Sequence, residues 1–136
     1  MCSILMGGIL EKFPNLKVAF AHGGGSFPGT IGRIEHAFRV RPDLCAVDTL
    51  SSPTSFIGKF WVDSLVHEKR SLDSIIKLFG REKVSLGTDY PFPLGEENPG
   101  SLIKNLDYPK DIKAKLLGEN ALSWLNLEPS DLILNK

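Results

Sequence analysis

Two apolar runs, each breaking off at a chemically active side chain, constrain this chain more than anything else in it. Val84-Ser85-Leu86-Gly87-Thr88-Asp89 carries a lone carboxylate from the end of a strand candidate into Tyr90-Pro91-Phe92-Pro93, a loop stiffened by two prolines. Leu16-Lys17-Val18-Ala19-Phe20-Ala21 does the same with an imidazole, running into His22-Gly23-Gly24-Gly25. Parallel α/β barrels gather their chemistry at the C-terminal ends of strands, where the loops converge. An Asp after a strand can be only the cap of the next helix, and a His before glycines only a hydrogen-bonded loop residue. Taken together, with glycines that leave room for a ligand and prolines that fix the loop behind Asp89, the pair favours a site.

The rest of the chain alternates strand and helix patterns in the manner of right-handed βαβ units on a parallel sheet. A helix is predicted from Ser3 to Phe13, broken by Pro14, followed by a strand from Lys17 to Ala21. Pro28 suits the first turn of a helix to Phe38 that places Ile31, Ile34 and Phe38 on one face. A second strand, Lys59 to Asp63, precedes a helix from Leu72 to Phe79 that Gly80 closes, and a third strand ends at Asp89. Only helices follow, over Leu102 to Leu106, Asp111 to Leu117 and Asn120 to Leu125. Pro53, Gly58, Pro99, Gly100 and Pro109 punctuate loops without a composition shift, so residues 1–136 read as part of a single domain without repeats. A complete (β/α)8 barrel takes about 250 residues. The expected fold is therefore α/β, a partial TIM-type (β/α)8 barrel comprising the last three or so βα units and C-terminal helices.

Charge narrows the partners. Lys plus Arg and Asp plus Glu are 16 each, which implies no nucleic acid and no membrane. The apolar opening from Met1 to Leu10 lacks a basic leader, runs straight into Glu11 and Lys12, and is too short for a bilayer. Cys2 and Cys45 have no metal-type spacing and read as free thiols in a reducing cytosol, so the expected location is cytoplasmic.

Specific phrases go further. Phe20-Ala21-His22-Gly23-Gly24-Gly25, Gly32-Arg33, Arg41-Pro42-Asp43-Leu44 and Leu86-Gly87-Thr88-Asp89-Tyr90-Pro91-Phe92-Pro93-Leu94-Gly95 resemble the aminocarboxymuconate-semialdehyde decarboxylases of the metal-dependent amidohydrolase superfamily. Met6-Gly7-Gly8, Glu11-Lys12-Phe13-Pro14 and Gly118-Glu119-Asn120-Ala121 extend the likeness over nearly the whole chain. The resemblance implies a non-oxidative decarboxylase of tryptophan and kynurenine catabolism. In that family a zinc ion is held by an H-x-H pair, a further His and an Asp, and it lowers the pKa of a bound water towards about 7.

Carried over residue by residue, the resemblance makes Asp89 the metal carboxylate and His22 the general acid/base beside the metal-bound water. Imidazole suits that role because its ordinary pKa lies near 6.5. Arg33 matches an arginine lent across a homodimer interface to a carboxylate of the neighbour's dicarboxylate substrate, and Phe92 an aromatic lining the pocket. Each has a plainer reading: a loop acceptor for Asp89, a solvated helix-face cation for Arg33, a packing residue for Phe92.

None of the three histidines, His22, His36 and His67, forms an H-x-H pair, so of the expected zinc ligands only Asp89 is present. The chain is accordingly expected to be a C-terminal fragment, inactive by itself. A related amidohydrolase-type hydrolase, an aromatic-acid decarboxylase and a non-catalytic dimerising piece stay open as alternatives. Arg41 is read as shaping a dimer contact, Asp63 and His67 as residues that could face the barrel mouth with His67 a loop residue, and His36 as an ordinary helix-face residue. Glu96 and Glu97 read as solvent-facing and without a role.

Overall fold

The computed structural model describes residues 1–132. Three short strands, β1 (Ala19–Phe20), β2 (Trp61–Asp63) and β3 (Val84–Ser85), form a parallel sheet in the order β1-β2-β3. Phe20, Val62 and Val84 stand side by side in register, and all three join the core. Period-two alternation makes this possible, because it sends every second side chain of each run to the same face.

Two helices cover that face. α3 (Phe27–Val40) follows β1 and buries Phe27, while α5 (Lys69–Phe79) follows β2 and buries Leu72, Ile75 and Phe79. Four phenylalanines meet beneath them. Phe60, with no exposed surface, lies 5.4 Å from Phe20, 5.5 Å from Phe79 and 6.3 Å from Phe27, in edge-to-face contacts. The opposite face of the sheet looks across a cavity towards Ala121, Trp124 and Leu125 of α8 (Asn120–Leu125). Asn120 pins that helix to the sheet, its Nδ2 donating to the carbonyls of Arg81 and Val84 at 2.7 Å each.

Several boundaries differ from expectation. The opening helix is two pieces, α1 (Cys2–Met6) and α2 (Ile9–Lys12), because Gly8 turns left-handed between them at φ 68°. Between the main helices lies the short α4 (Pro42–Cys45). α5 starts three residues before the predicted Leu72, because the Glu68 carboxylate caps it by accepting the Ser71 N–H at 2.9 Å. β3 ends at Ser85 rather than Asp89. After it come α6 (Ser101–Asn105) and α7 (Lys110–Ala114), and α7 passes into a π-helical turn at Lys115–Glu119 before α8.

One polar cluster holds α5 in place. Tyr108 donates to Asp73 Oδ1 at 2.5 Å, and Lys69 pairs with Asp73 Oδ2 one turn away. Burial, and then this donation to Asp73, pushes the Tyr108 hydroxyl above its ordinary pKa. The Asp73 carboxyl is held below its ordinary range, first by Lys69 and then by Tyr108. Tyr108→Phe should cost about 1 kcal/mol, a value kept small by solvent screening of the half-exposed carboxylate. A carboxylate depressed by folding stabilises above its unfolded pKa and loses that contribution as pH falls through the folded value. Without the hydroxyl the depression shrinks, so the gap between the two proteins in urea melts should be full at pH 7 and narrow below about pH 4. A gap unchanged from pH 7 to pH 3 would mean that Tyr108 acts by packing alone.

Candidate active site

β1 delivers His22. Past Phe20 the backbone extends through Ala21 and tightens into a 3₁₀ turn over His22–Gly24, with His22 itself at φ 57°. Gly23 makes the turn possible. Its φ is 59°, and a Cβ there would lie 2.6 Å from Val66 Cγ1. The Gly23 N–H donates to Asp63 Oδ1 at 2.9 Å, and the same oxygen accepts the Leu65 N–H at 3.1 Å. Asp63, which the sequence left as a group that could face the mouth, is thus spent on the backbone of two adjoining loops.

β3 delivers Asp89 by a different route. Ladder pairing stops at Ser85 because the next segment bonds to side chains: the Gly87 N–H donates to Ser64 Oγ at 3.4 Å. A Cβ on Gly87 would overlap the Asp63 side chain, so only glycine passes. Asp89 sits at φ 57°, and its carbonyl accepts the Phe92 N–H at 2.8 Å. Glu96 closes the loop, donating its N–H to the Thr88 carbonyl at 2.9 Å and accepting the Gly100 N–H on Oε2 at 2.6 Å. It is a brace, not the idle solvent-facing carboxylate its sequence context suggested.

These two strand ends, on either side of β2, bring His22 Nε2 to 3.3 Å from Asp89 Oδ1. The His22 side chain is 59% exposed and that of Asp89 24%, so the pair opens to solvent from the imidazole side. It lies in a cleft of about 640 Å³ whose lining also includes His67, Arg70, Ser71, Ser74 and Leu94. Chemically the pair offers a proton carrier next to a fixed negative charge, which suits acid/base work on a bound anion or carbonyl compound.

The other expected residues lie elsewhere. Arg33 is exposed on α3 and does not line the cleft. Phe92 is 65% exposed on the loop beyond Asp89 and is likewise absent from the lining. Arg41 forms a two-point pair with Asp43 at 2.9 and 2.7 Å at the start of α4. His36 bonds Arg39 one turn on. By contrast His67, a loop residue that could face the mouth, does line the cleft, and so does Arg70, which the sequence did not single out. Their only sequence signal was position, in the short link between the end of β2 and the first turn of α5.

A parallel sheet with helices after each strand and a His–Asp pair at the strand ends defines the class: the chain belongs to the amidohydrolase family, whose family model matches residues 1–127. Among individual proteins, it is 57% identical over 131 residues to the 2-amino-3-carboxymuconate-6-semialdehyde decarboxylase of Dictyostelium discoideum, covering 96% of this chain and 36% of that protein. It is 45% identical over 140 residues to the Caenorhabditis elegans protein of the same name, covering 100% of this chain and 34% of the relative. The chain thus spans about a third of the length of these curated relatives.

Solved structures share the fold. 5-Carboxyvanillate decarboxylase from Sphingomonas paucimobilis superposes with a TM-score of 0.80 at 23% identity, covering 93% of this chain and 38% of that one. A dihydroxybenzoic acid decarboxylase from Polaromonas, solved with bound manganese and an inhibitor, gives 0.79 at 17% identity, covering 98% of this chain and 41% of that one.

A catalytic metal in such a protein takes about three protein ligands and keeps a position open. Among the described residues no three His, Cys, Asp or Glu side chains come together in a metal-ligating group. His22 and Asp89 make two, and the only other histidine of the cleft lies in a separate loop. These residues by themselves do not form a metal centre. Cys2 and Cys45 are free thiols, and no helix among the described residues is long and apolar enough to cross a membrane.

Proposed function

We propose that these 136 residues supply the proton-handling part of a carboxy-lyase that releases carbon dioxide from 2-amino-3-carboxymuconate 6-semialdehyde in tryptophan and kynurenine catabolism. The observation that carries this reading is the meeting of His22 Nε2 and Asp89 Oδ1 at 3.3 Å in a chain 57% identical to a protein of that name. Loss of carbon dioxide leaves an electron pair on the carbon that bore the carboxylate, and a proton must reach that carbon. His22 is the carrier: its imidazole is exposed, lines the cleft, and is the kind of side chain that serves as both acid and base. Asp89 steadies the imidazole and contributes the one metal ligand of this chain. The metal in this reading is zinc, its other ligands coming from outside these residues; the manganese of a solved neighbour supports a divalent ion.

The complete architecture we propose is a (β/α)8 barrel of which β1 to β3 and their helices are the last units, working as a cytoplasmic homodimer. Arg33 stands outside its own cleft and is exposed, which suits an arginine that reaches the partner's substrate carboxylate. Phe92, exposed on the loop behind Asp89, would line the pocket once the remaining strands enclose it.

The test is carbon dioxide release from the semialdehyde. The 136-residue chain should give none, and the protein extended to the length of its relatives should turn over. In the same assay, mixing full-length Arg33→Ala with His22→Asn should restore part of the activity each lacks, since a mixed dimer contains one intact site. Release only from aromatic acids would move the substrate class to that of the solved neighbours. No recovery despite confirmed mixed dimers would return Arg33 to its own subunit or to the surface.

A further inference from the structure

Four non-glycine residues with positive φ occur among the described residues: His22, His67, Asp89 and Asn126. Asn126 has a local reason, as the left-handed cap that ends α8. The other three, at 57°, 56° and 57°, all line the same cleft. Left-handed backbone at a residue with a Cβ is strained and persists where the surroundings impose it, which is characteristic of ligand-binding positions. His67 shares that strain with His22 and Asp89, although it makes no hydrogen bond to either.

Arg70, three residues on and in the first turn of α5, lines the cleft as well. Nearby carboxylates are already engaged. Glu68 accepts the Ser71 N–H and hydroxyl, and Asp73 is taken by Lys69 and Tyr108. No described carboxylate lies within ion-pair distance of the Arg70 guanidinium. An exposed, unpaired guanidinium that lines the same concave site as an imidazole is a fork for a planar anion. The helix terminus itself is not the attractant, because Glu68 already caps it. The hydroxyls of Ser71 and Ser74 are donated to Glu68 and to the Arg70 carbonyl, so the anion contact falls to Arg70 and His67.

We propose that Arg70 and His67 form a carboxylate-binding subsite within this chain's own cleft, which holds one carboxylate of the substrate while His22 and Asp89 face the reacting centre. The guanidinium makes the two-point contact, and an N–H of His67 fixes the carboxylate plane. This deepens the decarboxylase reading and rests on it only for the identity of the ligand. Arg33, reaching from the partner, would hold the other carboxylate.

The probe is trans,trans-muconate, an unsaturated dicarboxylate, compared with sorbate, which has the same trans,trans diene and a methyl group in place of one carboxylate. In calorimetric titrations of the 136-residue chain, Arg70→Ala and Arg70→Gln should each weaken muconate binding at least tenfold, and His67→Ala at least threefold. Lys77→Ala, a charge removed from the far end of the same helix, should leave it within twofold. Sorbate should bind the wild type more weakly than muconate. Melting curves establish that the variants are folded, and the two Arg70 substitutions guard against one of them failing to fold. Equal muconate affinity in wild type and a folded Arg70 variant overturns the subsite, as does a wild type that gives no heat of binding. Because binding and not turnover is read, a full-length protein without decarboxylase activity would sink the substrate assignment and leave this result standing.

Discussion

His22→Asn in the full-length protein should lower the rate of carbon dioxide release by about 10²–10⁴-fold, the usual cost of removing a general acid/base. Asparagine keeps a polar side chain at the end of β1 but cannot carry a proton at neutral pH. The Gly23–Asp63 bond that shapes the turn uses only backbone N–H and the Asp63 carboxylate, so the turn should survive. Metal content per subunit, measured on the same preparation, should therefore stay at the wild-type level while kcat falls. Asp89→Ala is the contrasting variant, expected to lose metal and activity together. Full turnover by His22→Asn would exclude the imidazole as the proton carrier and leave the 3.3 Å contact with Asp89 a structural one.

Phe60→Ala should destabilise the chain by about 3–5 kcal/mol, a large part of the 5–15 kcal/mol that holds a typical domain together. Phe60 has no exposed surface and touches one aromatic ring from β1, one from α3 and one from α5. Its removal therefore opens a cavity at the junction of three elements, none of which can close it without leaving another. The urea midpoint should fall with little change in slope. Phe92→Ala offers a control from the same residue type: 65% exposed, it should change the unfolding free energy by no more than about 0.5 kcal/mol. A small loss at Phe60 would mean that the sheet and helices repack readily around the gap.

Local pattern reached a long way into this chain. The apolar runs before His22 and Asp89 announce parallel strands, and the glycines and prolines after them mark where each strand must yield to a loop. Both residues could be chosen as candidates because strand, breaker and polar side chain are neighbours in sequence. Boundaries were harder where a side chain replaced a backbone partner. Glu68 caps α5 through Ser71, and a long carboxylate is not a common cap, so apolar spacing alone starts this helix only at Leu72. Leu86 to Asp89 looks extended in sequence, but beyond the Asp63–Ser85 pair the Gly87 N–H meets Ser64 Oγ and the Asp63 side chain packs against Gly87, so the ladder goes no further.

By itself, then, the sequence determined the α/β character, the strand ends that carry His22 and Asp89, and the core residues that alternate to one face. Those properties follow from side-chain periodicity and backbone preference over a few residues. Tertiary structure alone decided that Nε2 and Oδ1 meet across 67 positions of chain, that Asp63 and Glu96 brace loops, and that His67 and Arg70 share the cleft while Arg33 and Phe92 stand outside it. The reason is geometric: each of those facts depends on which strands lie side by side and how far each loop turns beyond its strand. Such distances between remote segments leave no period or composition behind for a linear reading to detect.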